Sequence, residues 1–407
     1  MTRSFDDVAR SVVALVEPLE AIEIPLLEAF GCAASADVRA DADVPAFASA
    51  AVDGYAVRIE DVGSATTHDP RVVPVVGDVL PGEPPVVTVQ PGFGARIASG
   101  AAVPVGTEAV VPTEWTDGGV ARVAVTRAPE PGDNVIAPGS SVRAGDVVVA
   151  SGTRLRSAHL GLLAASGLDR VAVRPRPRIV VMSVGSELVE PGSEILAGRW
   201  SESCGPYVTA ALRDYGALAF RVPVIPSDAR ALTDTVEDQL VRADLVVLLD
   251  GAGAATRQLL RDVVGRLGTV TFDTVAADPL TTFGYGTVGP DATPILVPPS
   301  DPLASFVAAE TFLRPVVRRM LGLEPLHHAV VRAVLRGTIG SSVGVRTVVP
   351  AELDVEDGVY VVRPIHVAGH GFGAASAANA LVAVPEALAS CADGQTVEVV
   401  VLERQHA

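Results

Sequence analysis

The side chains able to do covalent or metal chemistry are few, and their spacing limits what they can do. Three cysteines, Cys32, Cys204 and Cys391, lie far apart and form no C-x-x-C pair. That excludes a disulfide scaffold and any cysteine-rich zinc site. No lysine occurs, so arginine supplies every permanent positive side chain. A Schiff base and a lysine phosphate clamp are therefore impossible. His327 and His328 stand together at the expected start of a strand. His366 and His370 are spaced i, i+4, but in a glycine-rich stretch that offers no helix to align them on a metal. Gly369, Gly371 and Gly373 recur at alternate positions. Without a strand leading into a helix that pattern does not hold a nucleotide, and it reads as a loop.

These residues need a scaffold, and the chain is long enough to build several. At about 150 residues per domain, 407 residues predict two to four domains. An apolar content of 49% with 19% charged residues fits a packed globular protein and excludes disorder. The formal net charge of −17 argues against nonspecific binding to nucleic acid or to an anionic lipid surface. The opening MTRSFDDVAR lacks the apolar core of a signal peptide, and no apolar run is long enough to cross a membrane. A soluble, cytoplasmic protein with no direct membrane insertion is expected.

Phe5, Val8, Val12 and Leu15 fall on one face of a helix, with Ser4 and Asp7 as a capping box. From 44 to 135 short β-branched runs alternate with proline and glycine, the texture of a separate all-β module. A short helix is expected at 157–167. Between 178 and 321 apolar strands alternate with amphipathic helices: RIVVMSVG, YVTAALRDYG, AFRVPVIP, a helix after Ser227, ADLVVLLDGAG, ATRQLLRDVVGRLG, TVTFDTV, TPILVPP and a long closing helix. That order predicts βαβ units and a mostly parallel sheet covered on both faces. Ligands then bind at the carboxyl ends of the strands, in the loops after Ser183, Leu249 and Val297. Beyond Leu323 the chain returns to strands, with Asp357-Gly358 as a hairpin turn, predicting a small barrel or sandwich.

Four patches resemble the MoeA-type molybdopterin molybdenumtransferases, a family that includes the E domain of gephyrin. They are VPAFASAAVDGYAVR (44–58), ARIASGAAVPVGTEAVVPTE (95–114), VMSVGSELVEPG in the α/β region and SAANALVAVPE (376–386). The resemblance runs in order through nearly the whole chain. It implies an elongated homodimer of α/β multidomain fold: a helical and linker subdomain (1–43 and 136–175), a β-rich subdomain (44–135), a mostly parallel α/β/α domain (176–323) and a barrel-like C-terminal domain (324–407). The reaction it implies is Mg²⁺-assisted transfer of molybdate into adenylylated molybdopterin, with release of AMP. Asp53, Ser99, Glu187 and Asp228 hold the surviving family positions, with Ser99 in place of threonine. Each acid also has a structural reading: Asp53 as a turn residue before Gly54, Glu187 as a first-turn helix acid, Asp228 as a charge at a helix start.

Other family positions are altered. The third-strand loop reads DGAGAATRQ, with Asp250 and Gly253 in place of glycine and serine and Gln258 in place of a metal-binding aspartate. DPLTT at 278–282 has lost both family lysines and gained Asp278, Ser140 and Ser141 replace two acids, and Ser186 replaces an aspartate. An acid at Asp250 would repel phosphate. Two readings stay open. One is a gephyrin-like dimeric scaffold with impaired or lost transferase activity and no cofactor of its own. It would bind a protein partner such as the C-terminal tail of FtsZ, in a groove marked by Phe5, Asp6, Ala9 and Pro385. The other is a working transferase that uses Mg²⁺, molybdate and adenylylated molybdopterin.

Overall fold

A computed structural model describes residues 2–251, 253–366 and 371–402. The chain opens with a two-residue strand, β1 (Thr2–Arg3), and helix α1 (Phe5–Ala14). The Ser4 hydroxyl accepts from the Asp7 amide at 3.1 Å, as the capping box requires. Phe5, Val8 and Val12 are buried along one face. Leu15, one residue past the helix, is only partly so.

Two β-rich pieces follow. Gly54–Val57, Arg71–Val79, Gly94–Ile97, Ala109–Pro112 and Arg122–Val125 form a five-stranded sheet around Tyr55, Val57, Val111 and Val123. Ile22–Pro25, Ala33–Ala34 and Arg170–Arg174 form a three-stranded sheet. It shares its core, Leu155, Leu163 and Val173, with helix α2 (Ser157–Ala165).

The α/β unit then runs β2 (Arg178–Val184), α3 (Cys204–Tyr215), β3 (Leu218–Arg221), α4 (Ala229–Leu240), β4 (Leu245–Asp250), α5 (Ala254–Leu267), β5 (Gly268–Val275), β6 (Thr282–Val288), β7 (Thr293–Val297), α6 (Pro302–Ala308) and α7 (Arg314–Met320). Its sheet has the order β1-β5-β6-β7-β4-β2-β3. Strands β3, β2, β4 and β7 are parallel. Alternate residues of β2 and β4 serve opposite faces. Ile179, Val181, Leu245 and Val247 pack with α1, α3 and the closing helices, while Val180, Met182, Val246 and Leu248 pack with α4 and α5. Apolar side chains are needed on both faces, which is why Ile179–Met182 and Leu245–Leu249 read as unbroken runs.

Three features differ from expectation. First, β6 is an additional strand, antiparallel to both β5 and β7. Gly284 and Gly286 hide it in the sequence, yet a Cβ on Gly286 would lie 2.7 Å from Val270 Cα on the neighbouring strand. Second, the closing helix is divided by a π turn, Ala309–Leu313. Pro315, two residues past the π turn, cannot donate a main-chain hydrogen bond, so a regular α-helix is not maintained there. Third, the first strand and helix join the α/β core instead of the unit expected over 1–43. β1 pairs with β5, and the Phe5 ring lies 5.0 Å from that of Phe312.

The last module contains β8 (Val330–Leu335), β9 (Arg346–Glu356), β10 (Val359–Pro364), α8 (Phe372–Ala377), β11 (Ala380–Val384) and β12 (Thr396–Val401). Pairings β9-β10-β8-β12-β11-β9 close a barrel. Asp357 and Gly358 make the expected hairpin turn, with φ of 50° and 78°. β8 begins at Val330, so His327 and His328 precede the strand instead of starting it. Gly373 lies in α8, not in a loop, and Gly371 caps that helix. Gly369 and His370 lie outside the described residues. Ala277–Asp278 pairs with Arg346–Thr347 and ties the barrel to the α/β unit.

Candidate active site at the carboxyl ends of the parallel strands

β2 has β3 on one side and β4 on the other, and the helices that follow β2 and β4 cover opposite faces of the sheet. Their loops therefore diverge and leave a crevice at the carboxyl ends, the place where open α/β sheets bind ligands. The loops after Ser183, Leu249 and Val297 bring Glu187, Asp250 and Ser300 to this end of the sheet.

Glu187 is not in a first helical turn. It sits in a tight turn before the short strand Leu188–Val189. Its Oε1 is buried and has no hydrogen-bond partner. A Cβ on Gly251 would collide with that oxygen and lie 2.7 Å from the Val184 carbonyl oxygen. A Cβ on Gly185 would lie 2.9 Å from the same Oε1. Both loops must be glycine for the carboxylate to seat between them. Asp228 keeps its structural role: it caps α4, with Oδ1 accepting from the Ala231 amide at 2.8 Å. The two acids ride on laced loops, since the Ser186 amide donates to Ser227 Oγ at 3.0 Å and the Ser227 amide to Ser186 Oγ at 2.9 Å.

Asp53 and Ser99 form a second pair in the five-stranded module. The Ser99 amide donates to Asp53 Oδ1 at 2.7 Å, and Ser99 Oγ donates to the Ala51 carbonyl at 3.1 Å. Among the described residues no hydrogen bond or ion pair joins this pair to Glu187 or Asp228.

Asp250 does not stand as a bare negative charge. Its Oδ2 accepts from Arg257 Nε at 2.8 Å and its Oδ1 from Ser300 Oγ at 2.9 Å. The expected repulsion of phosphate is thereby offset within the chain. Gln258 donates to Asp262 at 2.8 Å, one helical turn on. Asp278 lies in the short strand that pairs with the barrel.

One cluster escaped sequence reasoning. The segment carrying Glu187 leaves and re-enters the fold beside Arg221, the last residue of β3. Arg221 ion-pairs with Glu190 on the outgoing limb, and its Nη1 lies 3.4 Å from Glu202 Oε2 on the returning limb. Glu190 also accepts from the Val224 amide at 2.7 Å, and Glu202 from the Gly205 amide at 2.6 Å. The Arg221 contact holds the Glu190 carboxyl below its usual range, whereas burial pushes that of Glu202 up. Residues 190, 202 and 221 share no local spacing, so only the sheet order reveals the clamp.

The expected groove residues separate three and one. Phe5, Asp6 and Ala9 line a cavity of about 630 Å³ between α1 and the barrel residues Val330 and Val400. Phe5 is mainly a core residue, 8% exposed, and Asp6 accepts from Arg346 at 2.6 Å. Pro385 lines a different cavity, of about 300 Å³, with Arg332 and Leu388. Among the described residues no group of three or more His, Cys, Asp or Glu side chains could by itself hold a metal ion, and no helix is long and apolar enough to cross a membrane.

Sheet order, a glycine-seated acid at the switch point and a closed C-terminal barrel define a multidomain α/β protein with a crevice at the carboxyl ends of its parallel strands. Comparison with known proteins gives that class a family. Residues 3–167 match the MoeA N-terminal region (domain I and II), 180–319 a "probable molybdopterin binding domain" and 332–402 the MoeA C-terminal region (domain IV). Molybdopterin molybdenumtransferase 2 of Mycobacterium tuberculosis (strain ATCC 25618 / H37Rv) is 35% identical over 403 residues, 98% of this chain and 99% of the relative. Molybdopterin molybdenumtransferase 1 of the same strain is 34% identical over 415 residues, covering 97% of each. The crystal structure of the molybdopterin biosynthesis MoeA protein from Pyrococcus horikosii is 27% identical and covers 100% of both chains, with a TM-score of 0.82. The chain belongs to the MoeA family of molybdopterin molybdenumtransferases.

Proposed function

We propose that this chain is a working molybdopterin molybdenumtransferase, inserting molybdate into adenylylated molybdopterin with release of AMP. The observation that carries the reading is the buried, partnerless Oε1 of Glu187 at the switch-point crevice. An unpaired buried polar atom costs about 1–3 kcal/mol, a burden that a bound ligand removes. Mg²⁺ fits this donor, because it commonly takes one or two carboxylates and fills its remaining positions with waters and substrate phosphates. Glu187 would hold it, with Asp228 on the adjoining loop. Bound there, Mg²⁺ neutralises phosphate charge. The chain's own contribution is placement: Ser186 and Ser227 lock the two acidic loops together, and Arg221 fixes both limbs of the Glu187 segment. Arg257, its side chain 48% exposed beside Asp250, is a cation at this end of the sheet for an anionic substrate. The family resemblance also supports a homodimer, which light scattering would report as about twice the chain mass at low micromolar concentration. The direct test feeds purified protein adenylylated molybdopterin, molybdate and Mg²⁺ and measures AMP. Release at background level would defeat the reading.

A second reading competes with the first. Arg257 and Gln258 are both engaged within the chain, by Asp250 and Asp262, and the groove at α1 presents Phe5, Asp6 and Ala9. On this reading the dimer is a scaffold for a protein tail such as that of FtsZ. Calorimetry with that tail peptide tests it. Binding that survives Ala9→Asp in a folded protein would exclude the groove.

A further inference from the structure

An anionic substrate in the crevice needs positive charge, and in a chain without lysine only arginine supplies it permanently. Most arginines on the elements that frame the crevice are already engaged. Arg221 ion-pairs with Glu190, Arg230 with Asp234 and Arg257 with Asp250. Arg261 lies over the Phe272 ring, 4.8 Å from its centroid. Arg199 differs. It is exposed, its Nη1 donates to the Ser186 carbonyl oxygen, and among the described residues it meets no carboxylate. A guanidinium has five N–H donors, so four remain for a ligand.

The fold fixes where this cation stands, although twelve residues separate Arg199 from Glu187. The chain leaves the crevice after Val189 and turns back at Gly198, whose φ is 82°. The Arg199 amide closes that turn on the Leu196 carbonyl at 3.0 Å. Trp200–Ser201 then pairs in parallel with Leu188–Val189. The Trp200 amide donates to the Glu187 carbonyl at 2.9 Å, and the Glu202 amide to the Val189 carbonyl at 2.9 Å. Arg199 is thus bound to the residue before Glu187 through its side chain, while the residue after it is bound to Glu187 itself. Ser186 is in turn laced to Ser227. The guanidinium is held at the loop of the unpartnered carboxylate, and Arg257 stands on the loop after β4.

We propose that Arg199 is a substrate-binding residue, its remaining N–H groups taking a tetrahedral oxyanion, phosphate ester or molybdate, on the Glu187 side of the crevice. A planar guanidinium suits two oxygens of such a group at once. This role rests on the transferase reading and deepens it.

Calorimetry on the full chain without added Mg²⁺ tests the proposal, with AMP as the phosphate-ester probe and molybdate as the other. Physiological ionic strength is used, where exposed charges more than about 8 Å apart are largely screened. Saturable binding of at least one probe is expected. Arg199→Gln should weaken that probe about tenfold or more at an unchanged melting temperature, and the probe that weakens identifies which oxyanion Arg199 takes. Arg266→Gln, in the last turn of α5 and so at the other end of the sheet, should leave binding unchanged. Wild-type protein that binds neither probe overturns the proposal, as does Arg199→Gln binding both as tightly as wild type. An equal loss in Arg266→Gln would reduce the effect to net charge and overturn it too. Arg199-dependent binding in a protein that releases no AMP would keep the oxyanion site and defeat the transferase reading alone. Undiminished AMP release by Arg199→Gln, at substrate concentrations below KM, would do the reverse.

Discussion

Replacing Glu187 by glutamine preserves shape and removes charge at the atom on which the transferase reading depends. Oε1 is buried without a partner, and a Cβ on Gly251 would press on both this oxygen and the Val184 carbonyl oxygen. Two acceptors therefore face one small space. An amide replaces one of them with a donor, a relief of about 1–3 kcal/mol for the unsatisfied atom. One effect opposes this. α5 begins at Ala254, close after Gly251, and its Gly253 cap offers no side-chain partner. A carboxylate near such an amino end gains about 0.3–1 kcal/mol, which the variant loses. Relief exceeds loss, so Glu187→Gln should stabilise the α/β unit by about 1 kcal/mol. For a unit of this size that is a rise of about 2–4 °C in its calorimetric transition. The same variant should reduce Mg²⁺-dependent AMP release to background, because the carboxylate proposed to hold the cation is gone. A variant no more stable than wild type would refute the account of Oε1 as an unsatisfied acceptor. Undiminished AMP release would refute its role toward the cation.

Phe312→Ala removes a fully buried ring that lies 5.0 Å from Phe5 and 4.9 Å from Phe283; a loss of about 3–5 kcal/mol is expected in urea unfolding, and a loss below about 1 kcal/mol would contradict the central place given to this cluster. Asp250→Gly releases Arg257 from its 2.8 Å bond and should raise AMP release about tenfold, the worth of one charge-assisted contact; unchanged or lower release would show that Arg257 does not reach the substrate. Burial raises the Glu202 carboxyl above its usual 4.5, so the folded chain holds this proton more tightly than the unfolded chain. Its contribution is full below about 4.5 and is lost as pH rises through the raised value. Glu202→Gln should therefore flatten the fall in urea midpoint over that window, and a variant keeping the wild-type slope would count against the assignment.

Much of the scaffold is legible in the sequence because local geometry sets it. The Ser4–Asp7 cap and the Phe5, Val8, Val12 face of α1 depend only on residues three or four apart. The Asp357-Gly358 turn depends on two adjacent positive φ angles. Unbroken apolar runs at Ile179–Met182 and Leu245–Leu249 announce strands covered on both faces, and from a parallel sheet the loops after Ser183, Leu249 and Val297 follow as the place for a ligand. Tertiary structure alone decided the rest, because pairing across a sheet follows strand order and not distance along the chain. Only adjacency of β2 and β4 brings Gly251 under Glu187, and only the loop after β7 gives Asp250 its Ser300 partner. Gly284 and Gly286 resemble strand breakers until the neighbouring backbones leave no room for a Cβ. Arg221 reads as an ordinary surface arginine until the fold places Glu190 and Glu202 on either side of it. Pro385 is expected in the groove from the resemblance, yet the barrel turns it toward a separate cavity. Short-range order is set by steric and capping interactions that repeat along any chain, whereas the partners of a buried charge are chosen by which strands lie side by side.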